Sequence, residues 1–357
     1  MHVLHVIVGL PKAAGTSVFC GEVCNMLVSR GYDVTIAVLN PVRKDCCFLD
    51  SRVKLVSIDS VIDSAEQHRV DVIHIHAIWS PVLHKISMWA MRNNLPVVWS
   101  PHGMLAPWAM RHKWWKKCLP WYLYQRGDLK RAKLLHATSE QEKRWIAERG
   151  FEQPVMVVPL GTTMPPILPV AEKVFKTLLF VGRIYSVKAL DRLAEAFARV
   201  PEKVRQGWRL RLVGPDQAGH QKILESLVQS LKLEEKVEFL GPKFGEELNR
   251  EYDKCDCLAL VSYTENFGAT VVDAMAHGKP VITSDNTPWR EVVEHECGWW
   301  VSNEPEQLSA ALCEMMSLSD DERRQMGVNG RRLVEEKYTW DAVVKNMVKG
   351  YESVVRD

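Results

Sequence analysis

Residues 264–282 read TENFGATVVDAMAHGKPVI. Glu265 opens a short turn that Gly268 closes. A helix-period run follows (Val271, Val272, Met275), with a second carboxylate, Asp273, on its first turns. Gly278 stops the run, and Pro280 leads into an apolar segment of strand character. The loop and the helix after it thus offer two acidic side chains and a set of free backbone N–H groups to one region. Helix N-terminal amides and the helix dipole favour an anion such as phosphate. Carboxylates accept hydrogen bonds from hydroxyls. A ligand that combines phosphates with hydroxyls is a sugar nucleotide.

Composition sets the frame for that reading. At 357 residues, two domains are expected. A hydrophobic fraction of 46% with 25% charged residues is that of a globular chain with a full core. The net charge of +2 argues against a nucleic-acid partner held by global positive potential. The nine cysteines are odd in number and scattered, so reduced thiols and a cytoplasmic setting are expected. Cys255 and Cys257 lack a second pair at metal-site spacing and read as small buried hydrophobes. The N-terminal MHVLHVIVGL has no basic leader and reads as a buried strand, and no stretch reaches the roughly 18–20 apolar residues of a membrane span.

Working outward, short β-branched runs alternate with amphipathic ones. Strands are predicted at His2–Val8, Asp33–Leu39, Val53–Ile58, Asp71–Ala77, Pro96–Ser100, Lys133–Ala137 and Val155–Val158. The first helix is predicted from Thr16 to Arg30, ended by Gly31. The proline-rich TTMPPILPVAEK (162–173) reads as a linker, after which the alternation restarts at Thr177–Val181. Strand–helix alternation without hairpin turns predicts an α/β chain of two doubly wound parallel-sheet domains, 1–165 and 166–338, with a terminal helix in 339–357. Ligands of such sheets bind at the C-terminal ends of strands, so the motifs should follow strands.

They do. VGLPKAAGTSVF puts Gly15 at a helix entry, either as a plain βα turn or as backbone packed on a ligand, and it lacks the G-x-G-x-x-G fingerprint. SPHG places His102 just past a strand, as a cleft residue or a structural histidine. His74 and His76 share a strand face, but a metal pair needs a third ligand that the sequence does not reveal. GRIYSVK sets Arg183 and Lys188 past another strand, where two cations can clamp a diphosphate or, like most such pairs, simply stay solvated. VGPD puts Gly214 where backbone can approach a ligand. Residues 108–126 interleave Arg111, Lys113, Lys116 and Lys117 with Trp114, Trp115, Trp121 and Tyr122, a composition suited either to peripheral contact with a membrane surface or, for half of the aromatics, to packing on the core, with Pro120 as a break.

GRIYSVK and ENFGATVVDAMAHGKPV, supported by SPHG, VVPLG, VGPD and the terminal YTWD, resemble the motifs of retaining GT-B glycosyltransferases of the family 4 and group 1 class, which includes many bacterial surface-polysaccharide enzymes. The resemblance spans nearly the whole chain and implies a GT-B fold of two Rossmann-like domains, with the acceptor on the N-terminal domain. It implies that Arg183 and Lys188 neutralise a UDP- or GDP-sugar diphosphate and that Glu265 holds the donor sugar. By the same resemblance, Asn266, Phe267, Gly268, Ala269 and Thr270 line sugar and phosphate, Asp273 holds the ribose, and His102 lies near the transferred sugar. A saccharide or lipid-linked acceptor is implied, with no required cofactor or metal: cations and dipole serve the diphosphate, and no Asp-x-Asp motif occurs.

Two positions depart from the family pattern. Asp273 stands for the family's second Glu, one methylene shorter, and Ala189 stands for the usual Gly, which a helix start should tolerate. The alternatives are a sugar-nucleotide 2-epimerase of similar architecture and a non-catalytic sugar-nucleotide-binding protein.

Overall fold

A computed structural model of the chain describes residues 1–11, 15–41, 48–63, 70–167 and 174–355. The chain divides into two compact units, Met1–Gly161 with Trp340–Asp357, and Thr162–Thr339.

In the N-terminal unit the strands are β1 (His2–Val6), β2 (Asp33–Val38), β3 (Lys54–Ser57), β4 (Val72–His76), β5 (Val97–Ser100), β6 (Leu134–Ala137) and β7 (Val155–Val157). They form one parallel sheet in the order β3-β2-β1-β4-β5-β6-β7. Strand order reverses between β1 and β4, which is where a doubly wound sheet opens its ligand crevice. Helix α1 (Gly15–Ser29) follows β1 and buries Phe19, Cys20, Val23, Cys24 and Leu27. Gly31, at φ +83°, ends it, with Tyr32 N donating to Leu27 O. Helix α2 (Glu140–Glu148) follows β6 and starts on the Ser139 side chain, which accepts from Glu142 N.

In the C-terminal unit the strands are β8 (Lys176–Val181), β9 (Trp208–Val213), β10 (Val237–Gly241), β11 (Cys257–Leu260), β12 (Val281–Ser284) and β13 (Gly298–Val301), in the parallel order β10-β9-β8-β11-β12-β13. Its reversal falls between β8 and β11. Helices α3 (Leu190–Arg199), α4 (Ala269–Ala276) and α5 (Asp320–Lys337) belong to this unit. The predicted stripe of Leu190, Leu193, Ala194 and Phe197 on α3 is buried. The last helix, α6 (Trp340–Val355), returns to the N-terminal unit and buries Val343, Val344, Met347 and Tyr351 in its core.

Three local expectations are corrected. The predicted linker begins with structure, because Thr162 bridges to Thr339 in parallel and Thr162 N donates to Tyr338 O; its residues 168–173 lie outside the described residues, as do residues 12–14 of the first glycine loop. Pro120 does not break its segment, since Trp114–Pro120 runs directly into a π-helical turn, Trp121–Gln125. The wider turn accommodates a residue that has no N–H to donate. Ala189 is not at an ordinary helix start: its φ of +51° is left-handed, a conformation that costs a residue with a Cβ roughly 1–2 kcal/mol.

Candidate functional site

The motif residues of the C-terminal unit converge on the β8/β11 switch point. Past β8, Ser186–Lys188 makes a single 3-10 turn, and Tyr263 N, past β11, donates to Val187 O at 2.9 Å. That bond ties the two loops together. Across them Lys188 Nζ donates to Glu265 Oε2 at 2.5 Å, with side-chain exposures of 15% and 17%, and Ser262 Oγ donates to the same oxygen at 3.3 Å. Residues 77 apart in sequence thus form a sheltered ion pair. Arg183 is exposed and donates to Gln217 Oε1 at 2.8 Å, so it lies outside that pair.

The loop after Glu265 is shaped by packing. Phe267 is buried against Trp289 at a ring separation of 5.1 Å, and Trp289 Nε1 donates to Phe267 O. Gly268 caps α4 at φ +84°, and a Cβ there would lie 2.7 Å from Leu260 Cδ2 and 3.2 Å from Glu265 Cγ. Only glycine fits this position. Asn266 belongs to the same loop, Ala269 is the first residue of α4, and α4 opens without a capping side chain or an acidic residue in its first turn. Thr270 Oγ1 is buried without a hydrogen-bond partner among the described residues. Asp273, one turn on, accepts from Thr162 Oγ1 at 2.7 Å. Burial pushes its carboxyl up to about 6, against the downward pull of that hydroxyl.

Gly214 has a steric role of its own: at φ +148°, its Cβ would fall 1.8 Å from Gly182 O, so the ends of β8 and β9 touch backbone to backbone. Gly15 is the first residue of α1, and a Cβ there would meet nothing within 4 Å among the described residues.

In the N-terminal unit, His102 follows β5 at φ +52°, and its Nε2 lies 3.0 Å from His76 Nδ1. Burial, with His76 and His136 nearby, holds its imidazole well below the ordinary value, so it is neutral near pH 7. The adjacent turn hangs on a residue that the motif reading missed: Glu142 of α2 accepts from Gly103 N at 2.5 Å and from Thr138 N and Oγ1 at 2.8 and 2.9 Å. The Ser-x-x-Glu spacing of Ser139 and Glu142 was its one visible signal. The third nitrogen donor beside His74 and His76, which the sequence did not reveal, is His5, set opposite His74 by the β1–β4 register.

The segment 107–126 leaves Trp114 (62%), Trp115 (63%), Tyr122 (80%) and Leu123 (70%) exposed. Lys116 Nζ stands 5.0 Å from the Trp115 ring centroid. Among the described residues, no helix is long and apolar enough to cross a membrane.

Comparison with known proteins matches residues 13–163 to the model of Glycosyltransferase Family 4 and residues 169–333 to that of Glycosyl transferases group 1. An uncharacterised glycosyltransferase of Methanocaldococcus jannaschii is 32% identical over 180 residues, covering 50% of this chain and 45% of the relative. A D-inositol 3-phosphate glycosyltransferase of Kineococcus radiotolerans is 29% identical over 256 residues, covering 62% and 58%. The chain spans about half the length of these curated relatives. Among solved structures, Anabaena HepE in complex with UDP superimposes with a TM-score of 0.80 over 99% of this chain and 100% of that one, at 17% identity.

Proposed function

The chain belongs to the GT-B glycosyltransferases, with a family 4 half followed by a group 1 half, and from this we propose that it transfers a hexosyl sugar from a nucleotide diphosphate sugar to a saccharide acceptor with retention of anomeric configuration. The observation that carries the reading is the Lys188–Glu265 pair on the β8/β11 switch point. The carboxylate accepts from a donor-sugar hydroxyl, while Lys188, Arg183 and the uncapped start of α4 stabilise charge growing on the leaving diphosphate. The bond from the anomeric carbon to the phosphate oxygen breaks, a bond to the acceptor oxygen forms on the same face, and the departing phosphate takes the acceptor proton. Cationic side chains serve the diphosphate, so this transfer needs no metal at the phosphates. UDP-sugars are the first donors to try, because HepE, of the same fold, was crystallised with UDP.

The test is donor turnover by the full chain across a panel of UDP- and GDP-sugars, with the anomer of the product read by NMR. Lys188→Ala or Arg183→Ala is expected to cut turnover roughly 100–1,000-fold while circular dichroism stays native. Wild-type turnover in either variant would overturn the diphosphate assignment, and epimerised donor without transfer would favour the epimerase reading.

We also place the acceptor chemistry at a membrane surface, in surface-polysaccharide assembly on the cytoplasmic face, with a lipid-linked acceptor. The support is the exposed run of Trp114, Trp115, Tyr122 and Leu123 beside Arg111, Lys113 and Lys116. Exposed rings with cations suit an anionic interface. Co-sedimentation with vesicles containing anionic lipid should fall when Lys113 and Lys116 are both changed to Glu. Unchanged sedimentation would remove the membrane from this reading.

A further inference from the structure

A knot of nitrogen and sulfur donors lies in the core of the N-terminal unit. The β1–β4 register sets His5 opposite His74, and the two-residue period of β4 brings His76 to the same face. Helix α1 lays Cys20 and Cys24, one turn apart, among them. All five side chains are fully buried. The ligand atoms of His5, Cys20 and Cys24 lie within 4.8 Å of one another, and so do those of His5, His74 and His76.

Hydrogen bonds choose between the two sets. His74 is engaged at both nitrogens, Nδ1 with the Tyr351 hydroxyl at 2.6 Å and Nε2 with Ser100 Oγ at 2.6 Å. His76 is engaged at both as well, with His5 Nδ1 at 2.9 Å and His102 Nε2 at 3.0 Å. His5 has a nitrogen to spare: its Nε2 is buried with no nitrogen or oxygen partner among the described residues. Cys20 and Cys24 are the thiols whose Sγ atoms lie within 4.8 Å of a ring nitrogen of His5.

We propose that His5 Nε2, Cys20 Sγ and Cys24 Sγ bind a thiophilic metal ion, with Zn2+ favoured. Two thiolates and an imidazole select soft or borderline cations over Mg2+ or Ca2+. Zn2+ with two thiolates is electrically neutral, which a fully buried site requires far more than a surface site does. Binding releases the two thiol protons to solvent. A metal on Nε2 leaves the proton of His5 on Nδ1, where it donates to His76 Nε2, the outer-shell bond that orients a metal-bound imidazole. His76 Nδ1 then donates to His102 Nε2, so the ion would fix the tautomer of the histidine beside the β5 loop.

The test is metal content and spectroscopy of the full chain. After denaturation, reduction and refolding with Zn2+, gel-filtered protein should retain roughly one ion per chain by mass spectrometry. Refolding with Co2+ should give a sulfur-to-metal charge-transfer band. Cys20→Ala and Cys24→Ala should lose both signals, Cys118→Ala and His74→Ala should keep them, and His76→Ala should weaken binding roughly 10–100-fold. Should the cysteine variants not fold, the wild type still decides: alkylation of Cys20 and Cys24 in mild urea should be slow with Zn2+ and fast with chelator. Retention of Cu+ in place of Zn2+ supports the site. No ion retained with either metal, a Co2+ spectrum without sulfur character, or unchanged content in a folded Cys24→Ala chain overturns it. Loss in His74→Ala with retention in Cys24→Ala also overturns it, in favour of the three-histidine set.

Discussion

Lys188 and Glu265 neutralise each other at 2.5 Å, so under the proposed function a donor diphosphate would compete with a carboxylate for the ammonium. Glu265→Gln keeps the side-chain shape and frees Lys188. UDP alone should then bind at least as tightly as to wild type, while sugar transfer drops about 100-fold or more. Parallel losses of UDP affinity in calorimetry and of turnover would assign Glu265 to the nucleotide instead. Asp273 carries the pH prediction. Its folded value of about 6 lies above the ordinary 3.8, so the folded chain holds this proton longer than the unfolded one. From this group stability is therefore greatest below about pH 4 and falls as pH rises through about 6, by up to about 3 kcal/mol. Asp273→Asn removes the titration, so urea unfolding near pH 5 and near pH 7 should show a smaller drop than in wild type; an equal drop in the variant would refute burial as the cause. The contiguous motif residues were legible because spacing alone groups them. Thr162, Gln217, Glu142 and His5 were not, because each reaches its partner from a distant segment that only the sheet order brings near.

The strands were legible as elements because parallel strands buried on both faces read as unbroken β-branched runs, and each predicted run holds a strand of β1–β13. Backbone detail was not legible, since a left-handed Ala189 and a π-helical turn after Pro120 leave no mark in hydrophobic period. Close helix packing is equally silent in the sequence. Gly327 lies inside α5, where propensity alone says that alanine should stabilise by about 1 kcal/mol. Its added Cβ would sit 1.9 Å from Gly278 O, a backbone atom in the turn that ends α4. Backbone cannot rotate away as a side chain can, so overpacking outweighs propensity. Gly327→Ala should destabilise by about 1–3 kcal/mol, and a melting temperature at or above wild type would show that the turn can yield. Gly268→Ala should act in the same direction through Leu260, and should also lower sugar transfer because Glu265 Cγ is among the atoms displaced.

At the scale of the molecule, sequence order and structural unit part company at the C-terminus. Residues 162–339 complete their own six-stranded sheet, whereas the seven-stranded sheet of residues 1–161 is covered in part by α6, which comes from the far end of the chain. That helix supplies Val343, Val344, Met347, Tyr351 and Val354 to the N-terminal core, and the Tyr351 hydroxyl meets His74 Nδ1 at 2.6 Å. Burying each such side chain stabilises by roughly 1.5–3 kcal/mol, so five contribute on the order of 10 kcal/mol. That is comparable to the whole stability of an ordinary domain, about 5–15 kcal/mol. A chain ending at Thr339 should therefore lose cooperative melting of its N-terminal unit and its near-ultraviolet circular dichroism, while a fragment of residues 162–339 melts cooperatively by itself. Adding a peptide of residues 340–355 to the shortened chain should restore the missing transition. If the shortened chain melted like wild type, α6 would be a cover for the N-terminal core and not a part of it.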